Sequence, residues 1–262
     1  MKNISAYKPV VTIITACFNS EEYIEETILS VINQTYTNIE YIIIDGKSMD
    51  STLDIIKKYE EYISKLISES DDGVYDAMNK GIKNSTGDII YFLNSGDHLF
   101  NKKTVENVVK QFTDKSALAV YGNVQIINEK GKRKNIRGCS VTLNSLLYRR
   151  ICHQTLFVSK KLFNDIGVFS SKYRLSADHE FIVKAIKKYP NRFLYLDEIL
   201  AEYMDGGMSC KMMTKTKIED LNIISSNYNI PQYIFGAIIC SLVILKYRIK
   251  NLLPQIITDY IK

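Results

Sequence analysis

Acidic residues stand at the ends of two apolar runs, where a folded chain could use them for chemistry. Asp97 comes shortly after the run Ile89 to Leu93, in the segment Asn-Ser-Gly-Asp. A carboxylate held at the end of a buried strand suits a divalent cation that bridges phosphate oxygens. Taken alone the feature is weak, because acids after strands are often helix caps or solvated turns. Asp45 ends another apolar run and could accept hydrogen bonds from a nucleobase or a ribose, or form an ordinary Asp-Gly turn.

A third acidic candidate lies in residues 176–181, Ser-Ala-Asp-His-Glu-Phe, at the start of an amphipathic segment. Asp178 or Glu180 could act as a general base if an acceptor hydroxyl comes within hydrogen-bonding reach. The structural alternative is that the helix dipole favours acids in any first turn. His153 could contact a metal or a phosphate, and Lys80 could offset the charge of a diphosphate. A lone histidine is more often structural, however, and a helical lysine is more often solvated.

These side chains need a fold that brings them together, and the first hundred residues have the pattern of one. Apolar runs of strand length alternate with amphipathic segments of helical length. The expected strands are Val10 to Ala16, Ile39 to Ile44, Leu66-Ile67 and Ile89 to Leu93. The expected helices run from an Asn19–Glu22 capping box to Gln34, from Ser51 to Tyr62 and from Val74 to Asn84. This order predicts a parallel sheet with helices on both faces. Ligands bind beyond the carboxyl ends of such strands, so we expect Asn19, Asp45 and Asp97 to converge on one crevice.

The second half is less regular, and its end is strongly apolar. It predicts strands at 117–121, 124–127, 155–158 and 193–196 and a helix at 177–188. The run from Ile230 to Leu245 is almost wholly apolar for 16 residues, and Lys246, Arg248 and Lys250 follow it. A bilayer-spanning helix needs about 20 such residues. A helix with a basic flank that lies on a membrane is therefore the better interpretation, and a buried helix that closes the core is the alternative.

Composition excludes several classes of protein. The chain has 262 residues, of which 46% are hydrophobic and 24% charged, so it can bury a large core and is not disordered or collagen-like. Its five Cys form no C-x-x-C pair, which argues against a disulfide scaffold or a zinc site. A net charge of +5, with no aromatic platform beside the basic stretch 129–137, argues against nucleic acid. No signal peptide is visible, so we expect a cytosolic-side location.

Taken in order, several segments resemble one family. VTIITACFN, IIIDGKSMDST, SDDGVYDAMNKGI and TGDIIYFLNSGD are similar to the N-terminal half of family 2 glycosyltransferases, and HQTLFVSKKLFNDIGVF and YRLSADHEFIVKAIKK to the acceptor half. The resemblance covers about residues 9–205 and is nearest to the branch that builds bacterial capsule, O-antigen and exopolysaccharide chains. It implies the α/β GT-A fold, with a Rossmann-like nucleotide-binding half, a mixed central sheet and C-terminal helices. It also implies an inverting transfer from a nucleotide-sugar, commonly UDP-linked, with Mg²⁺ or Mn²⁺ on the diphosphate.

Carried over by position, the resemblance assigns roles to single residues. Those implied to bind the donor nucleotide, with Asp45 facing the base, are Thr15, Phe18, Asn19, Asp45, Asp71, Asn79, Lys80 and Asn94. Asp97 stands in the place of the Asp-x-Asp metal motif, and Asp178 in the place of the catalytic base. Two departures concern charge. Asn94 and Gly96 replace acids of the metal motif, so we expect either weaker binding of the metal or His153 as a second protein contact. Ala177 replaces the acid that often precedes the base.

The sequence therefore predicts a GT-A domain over residues 1–228, with a nucleotide-sugar half at 1–122 and an acceptor half at 123–228, and a helical tail at 229–262. The expected reaction is transfer of a hexosyl or N-acetylhexosaminyl group to a saccharide or lipid-linked saccharide, on the inner face of the cell membrane. The alternative is a non-catalytic nucleotide-sugar-binding module or partner subunit. A sugar-nucleotide pyrophosphorylase is disfavoured, because CFNSEEYIEE is not a Gly-rich, Arg-containing loop.

Overall fold

The computed structural model describes residues 8–115, 117–128, 132–206 and 211–260. Its first half alternates strands and helices in the order that the sequence predicts. The elements are β1 (Val11–Cys17), α1 (Ile24–Ile32), β2 (Ile39–Asp45), α2 (Thr52–Lys57), β3 (Lys65–Ser68), α3 (Val74–Asn84) and β4 (Ile89–Phe92). Every residue of β1 is buried, as a strand covered on both faces should be.

The second half contains strands that range from two to twelve residues, and the longest helix of the described residues. Its elements are β5 (His98–Leu99), α4 (Thr104–Lys115), β6 (Ala119–Ile127), β7 (Arg133–Arg137), β8 (Phe157–Ser159), α5 (Lys160–Ile166), α6 (Ala177–Lys188), β9 (Phe193–Met204), α7 (Met213–Asn227) and α8 (Ile230–Tyr260).

Within the described residues, one sheet joins nine strands in the order β3-β2-β1-β4-β8-β6-β9-β5, and β7 pairs with β6 beside this path. The first four strands are mutually parallel, whereas β8 joins β4 and β6 in antiparallel fashion. The sheet is therefore mixed, which confirms the α/β fold with a mixed central sheet. Because β1 is parallel to both β2 and β4, the carboxyl ends of these three strands meet at one edge.

Apolar layers cover both faces of this sheet, because alternate residues of each strand point to opposite sides. Ile14 faces one layer, which includes Met78 of α3 and Phe181 of α6. Its neighbour Ile13 faces the other layer, which includes Ile28 of α1. The two layers hold the strand ends in place, and the loops that follow the strands are left to form a site.

Three details differ from the sequence-based expectation. The two strands predicted around Gly122 are one strand, β6, whose pairing with β9 is irregular there. A Cβ on Gly122 would lie 2.7 Å from the carbonyl oxygen of Glu198, so the close approach of β9 needs a glycine. β9 also extends to Met204, beyond the predicted strand at 193–196. Part of the basic stretch 129–137 forms the exposed strand β7 instead of a turn, and residues 129–131 lie outside the described ranges.

The predicted capping box at Asn19 and Glu22 is wrong. α1 begins at Ile24, whose N–H donates to the carbonyl of Ser20 at 2.9 Å. Asn19 has a positive φ of 46°, and its side-chain oxygen accepts the N–H of Met49 at 3.0 Å. A tertiary contact with the loop after β2 has replaced the local cap.

The tail helix α8 packs on α7 with one face only. A Cβ on Gly236 would lie 2.9 Å from the side chain of Ile224, and Cys240 is buried at the same contact. Large apolar side chains on other faces of α8 are exposed. By length and composition, Ile230–Ile249 is the one helix of the described ranges that could cross a bilayer, which is weak evidence by itself.

Candidate active site

The residues predicted to bind the donor follow three neighbouring strands. Asp45 closes β2 and pairs in register with Cys17 at the end of β1, and Asn94 and Asp97 follow β4. Neighbouring strands lie about 4.8 Å apart, so the ends of β2 and β4 are separated by about 10 Å. The sheet thus brings these loops to the same edge.

Asp45 is fully buried, and its carboxylate organises the loop after β2. One oxygen accepts the N–H of Ser48 at 3.0 Å and the hydroxyl of Ser68 at 2.6 Å, while the other accepts the hydroxyl of Ser48. These bonds join β2 to β3 and fix the turn that holds Asn19. A direct contact between Asp45 and a nucleobase stays a prediction.

Phe18 and Asp71 flank Gly46 at this edge. Phe18 is 59% exposed. A Cβ on Gly46 would lie 2.7 Å from Oδ2 of Asp71 and 3.3 Å from the ring of Phe18, so the glycine makes room for both. An exposed aromatic ring beside a carboxylate offers a base a stacking face and an acceptor. Thr15 lies deeper, fully buried, with its hydroxyl 3.1 Å from that of Tyr41.

Asn79 and Lys80 of α3 are both engaged inside the protein. The amide of Asn79 donates to the carbonyl of Phe169 at 2.8 Å and accepts its N–H at 3.0 Å, which ties α3 to the second half of the chain. The ammonium of Lys80 donates to the carbonyl of Ser70 at 2.6 Å and lies 3.1 Å from the carboxylate of Glu69. Lys80 therefore holds down the segment that contains Asp71, and its contact with a diphosphate stays a prediction.

Asp97 is a buried carboxylate, 6% exposed, that follows a turn at Gly96 with φ of 91°. Burial raises the pKa of Asp97 to about 7, and the nearby charge of His153 and a hydrogen bond from Gln154 act against the rise. Among the described residues, no group of three or more His, Cys, Asp or Glu side chains forms a metal centre. The metal-motif segment thus contains one carboxylate, that of Asp97, with one histidine, His153, nearby.

His153 connects Asn94 to Asp178. Its Nε2 lies 3.2 Å from the amide nitrogen of Asn94, and its Nδ1 lies 3.6 Å from a carboxylate oxygen of Asp178. The amide oxygen of Asn94 is buried and finds no hydrogen-bond partner among the described residues, which is costly for a polar atom. That oxygen, the carboxylate of Asp97 and the imidazole are donors that Mg²⁺ or Mn²⁺ accepts. The residues present fit a divalent cation.

Asp178 lies in the first turn of α6, and two side chains contact its carboxylate. The hydroxyl of Tyr75 donates to its Oδ1 at 2.7 Å, while His153 faces its Oδ2. Burial by itself raises the pKa of Asp178, but the hydrogen bond and charge of His153 and the charge of Arg150 outweigh burial. They hold the pKa of Asp178 well below its usual range, so the carboxylate is ionised at neutral pH.

Glu180, the other acid considered as a base, is directed elsewhere. Its carboxylate lies 2.9 Å from the ammonium of Lys184, one turn further along α6. This ion pair runs along the surface of the helix. The geometry therefore favours Asp178 over Glu180 as the proton acceptor.

Sequence reasoning missed the charged residues that hold the start of α6, next to Asp178. Arg150 donates to the hydroxyl of Ser176 at 3.0 Å and forms an ion pair with the buried carboxylate of Asp220 on α7. Lys217 contacts the same carboxylate at 2.8 Å. The one feature that could have pointed to Arg150 is its place three residues before His153. Nothing in the sequence pattern of α7 singles out Asp220.

The mixed α/β sheet, with carboxylates gathered at the carboxyl edge of its parallel strands, defines a GT-A glycosyltransferase. The model of the family described as glycosyl transferase family 2 matches residues 12–170, and this chain belongs to that family. The match ends before Asp178, so the family model covers the donor loops and His153 but not α6.

Curated relatives are glycosyltransferases as well. The PGL/p-HBAD biosynthesis glycosyltransferase of Mycobacterium bovis is 30% identical over 220 residues, which cover 81% of this chain and 84% of the relative. An uncharacterized glycosyltransferase of Mycobacterium tuberculosis is 32% identical over 183 residues, 68% of this chain and 69% of the relative. The protein is thus a glycosyltransferase, and its relatives' names place one of them in the biosynthesis of PGL/p-HBAD.

Solved structures show the same fold at low identity. S. aureus TarS 1-349 in complex with UDP-GlcNAc superposes with a TM-score of 0.63 at 21% identity, over 82% of this chain and 66% of that chain. This chain therefore spans about two thirds of the TarS fragment. The mannosyltransferase PcManGT from Pyrobaculum calidifontis, in complex with GDP-Man and Mn²⁺, gives 0.66 at 14% identity over 98% and 82%. Both neighbours bind nucleotide-sugars, and one of them has Mn²⁺.

Proposed function

We propose that this protein is an inverting glycosyltransferase that moves a hexosyl or N-acetylhexosaminyl group from a UDP-linked donor to a saccharide or lipid-linked saccharide. The product belongs to a cell-surface polysaccharide. One observation carries the proposal: His153 lies between the metal-motif segment at Asn94 and the ionised carboxylate of Asp178. A leaving-group site and a proton acceptor are thereby adjacent. The UDP-GlcNAc complex of TarS supports the choice of donor.

In this reaction Asp178 is the general base. Displacement at the anomeric carbon requires that the acceptor hydroxyl lose its proton as its oxygen attacks. Asp178 takes that proton, and the bond to the nucleotide breaks on the opposite face of the sugar, which inverts the configuration. Tyr75 and His153 keep the carboxylate in one orientation. General-base assistance contributes about 10²- to 10⁴-fold in rate.

The donor nucleotide binds beyond the ends of β1 and β2. The exposed ring of Phe18 stacks on the base, and Asp71 lies beside it. Asn19 and Asp45 fix the loop that forms the wall of this pocket, and Thr15 supports it from inside the sheet. Asn79 and Lys80 position the segment that closes over the diphosphate.

Asp97, His153 and the amide oxygen of Asn94 would hold the divalent cation, Mg²⁺ or Mn²⁺. When bound, the cation neutralises the charge of the departing diphosphate. Because Asn94 and Gly96 stand where the family has acids, a single carboxylate holds the ion, and weaker binding follows. The Mn²⁺ in the PcManGT complex supports a cation in this fold.

We assign the catalytic unit to residues 1–228, with donor binding in 1–122 and acceptor binding in 123–228, and a cytoplasmic, peripheral location to the whole. Strand β8 of the second half is inserted between β4 and β6, so both halves share one sheet, which supports a single unit. The exposed apolar face of α8 supports contact of the tail 229–262 with the inner face of the membrane.

A non-catalytic nucleotide-sugar-binding module is the second candidate, and the replaced acids of the metal motif favour it. Both candidates bind a donor, but only the enzyme turns it over. Thermal stabilisation by UDP, GDP, CDP and their sugars identifies the nucleobase that the site prefers. The same measurement with and without Mn²⁺ tests whether the ion contributes to donor binding. We expect UDP-sugars with Mn²⁺ to stabilise most, and Asp97→Asn to lose the Mn²⁺ effect.

Turnover then separates the two candidates. Release of UDP from the stabilising donor is measured for the native chain, Asp178→Asn and the matched control Glu180→Gln. We expect a loss of at least about 100-fold in Asp178→Asn and a small change in Glu180→Gln. Native turnover in Asp178→Asn would overturn its role as the base, and binding without turnover in the native chain would favour the second candidate.

A further inference from the structure

The tail helix α8 presents a continuous apolar stripe to solvent. Along this helix, large apolar side chains recur at intervals of four or three residues, and each is between 48% and 75% exposed. At about 100° per residue, such spacing puts them on one side of a helix. We call this set the outer stripe, and its members are Ile230, Ile234, Ile238, Leu242, Leu245 and Ile249.

The opposite side of α8 is packed on the protein between Gly236 and Tyr247. Gly236 and Cys240 lie against α7, and the hydroxyl of Tyr247 donates to the carbonyl of Lys211 at 3.2 Å. By helical geometry, these contacts point about 170° away from the centre of the outer stripe. The stripe is therefore a surface that the fold itself leaves uncovered.

Cations border the outer stripe on both sides. Lys246 and Arg248 are exposed, and by helical geometry they lie about 90° and about 70° from the centre of the stripe, on opposite flanks. Between Asp220 and Asp259 the sequence has no Asp or Glu. Long basic side chains in these places can keep their charge at the level of lipid headgroups while the stripe enters the acyl region.

Helix α8 also contacts the segment that leads to the active site. The ring of Tyr148 is 54% exposed and meets the ring of Phe235 of α8 edge to face, with centroids 6.3 Å apart. The guanidinium of Arg149 lies over the ring of Tyr148 at 5.5 Å. The next residue, Arg150, turns inward to Ser176 and Asp220 behind Asp178. Three consecutive residues thus connect α8, through Phe235, to the side chains next to Asp178.

We propose that the outer stripe, with Tyr148, Arg149 and the two flanking cations, docks on the surface of an anionic phospholipid bilayer with α8 parallel to the membrane plane. The acceptor side of the site then faces the headgroups. Its substrate is a lipid-linked saccharide whose lipid stays in the bilayer. The acceptor and the membrane as partner rest on the proposed function, whereas the residues of the docking surface and its orientation rest on the exposure and charge of α8.

Two other occupants fit the geometry less well. A helix that crosses the bilayer would have to leave α7 and lose the packing of Gly236 and Cys240. A second copy of the chain would bring these cations close to their own copies with no acid nearby to pair them, and like charges repel. An anionic bilayer satisfies both the apolar stripe and its basic borders.

Co-sedimentation of the full chain with phosphatidylcholine vesicles, with and without 30 mol% phosphatidylglycerol as the probe composition, tests the surface. We expect binding that is stronger on the anionic vesicles and is weakened by salt. Ile238→Gln/Leu242→Gln should lower the partition coefficient by at least about tenfold. The matched control Ile218→Gln/Val168→Gln changes two exposed apolar residues elsewhere and should bind as the native chain does. Lys246→Glu/Arg248→Glu should also lose binding, and Lys58→Glu/Lys83→Glu should keep it.

Three outcomes would overturn the proposal: no binding of the native chain, equal losses in stripe and control variants, or a dimer in solution that the stripe substitutions dissolve. Protein that carbonate does not extract from vesicles would indicate a spanning helix instead. Asp178→Asn should bind vesicles normally, so failure of docking and failure of the proposed function are separate results. In stripe variants, turnover with a lipid-free acceptor should persist while transfer to a vesicle-embedded acceptor falls; a parallel loss of both would contradict the role of the surface.

Discussion

The imidazole of His153 approaches the carboxylate of Asp178 to 3.6 Å, although the two residues belong to a short turn before β8 and to the helix α6. Each changes the ionisation of the other. Burial by itself lowers the pKa of His153, but the hydrogen bond and charge of Asp178 and the charge of Asp97 reverse this and raise it. The pair therefore links the metal-motif segment to the base, because one ring contacts both Asn94 and Asp178.

Replacing His153 with asparagine should uncouple these two parts of the site. Asparagine keeps a polar group but loses the ring that reaches both Asn94 and Asp178. We expect kcat to fall by about 10- to 100-fold and half-activation to require more Mn²⁺. Steady-state kinetics at several Mn²⁺ concentrations measure both effects. The control is the affinity for UDP without metal, which should not change, and an unaltered Mn²⁺ requirement would contradict the assignment of His153.

Much of the first half could be predicted because buried parallel strands are short, continuous apolar runs. Their order fixes which loops reach the carboxyl edge, so the sequence alone was enough to place Asp45 and Asp97 there. The family resemblance then added Asp178, which periodicity alone could not distinguish from Glu180. What distinguishes them is the ion pair of Glu180 with Lys184, whose i, i+4 spacing is already present in the sequence.

The support of Asp178 could not be predicted, because it depends on contacts between residues far apart in the chain. Tyr75 shares a face of α3 with Met78, so its spacing indicates packing, and its hydrogen bond to Asp178 has no local pattern. The helix cap predicted at Asn19 is wrong for a related reason, because the side chain of Asn19 accepts a hydrogen bond from Met49 instead of capping α1. Local sequence rules predict the contacts of a side chain when no residue far away in the chain competes for them. In a functional site, such distant hydrogen-bond partners are common.

Tyr75→Phe should test that hydrogen bond directly. Without the hydroxyl, one oxygen of Asp178 loses a donor that both stabilises and orients it. Hydrogen bonds to charged groups contribute about 1.5–3 kcal/mol, so we expect kcat to fall by about tenfold with little change in KM for the donor. Tyr59→Phe is the matched control, since the hydroxyl of Tyr59 donates to Glu25 at 2.7 Å on the surface. Equal effects of the two variants on kcat would argue against a positioning role.

Asp220→Asn should show what the pair with Arg150 contributes to the fold. The side chain of Asp220 is 3% exposed and that of Arg150 31%, so removal of one charge leaves the other poorly compensated. We expect the free energy of unfolding, measured by urea denaturation, to fall by about 3 kcal/mol. Asp54→Asn, which breaks an exposed pair with Lys57, should change it by about 0.5 kcal/mol or less. Similar losses in both variants would show that burial of the pair has no special effect.

His179 predicts how stability depends on pH. Burial lowers the pKa of its imidazole to about 4, and the charge of Arg150 acts in the same direction. Between pH 6.5 and 4 the unfolded chain therefore binds a proton that the folded chain excludes, so folding becomes less favourable as pH falls. The contribution present above pH 6.5 is about 3 kcal/mol, and it is lost by pH 4.

Replacing His179 with leucine isolates that contribution from those of the other titrating groups. His153 has the opposite sign, because its raised pKa gives a stabilisation that is present below pH 6.5 and is lost at higher pH. The contribution of His153 is the same in the native chain and in His179→Leu, so it cancels when the two free energies of unfolding are subtracted. Urea unfolding at pH 7.5 and pH 4 should show a native chain that loses about 3 kcal/mol more than His179→Leu. Two parallel pH profiles would contradict the buried, neutral state of this imidazole.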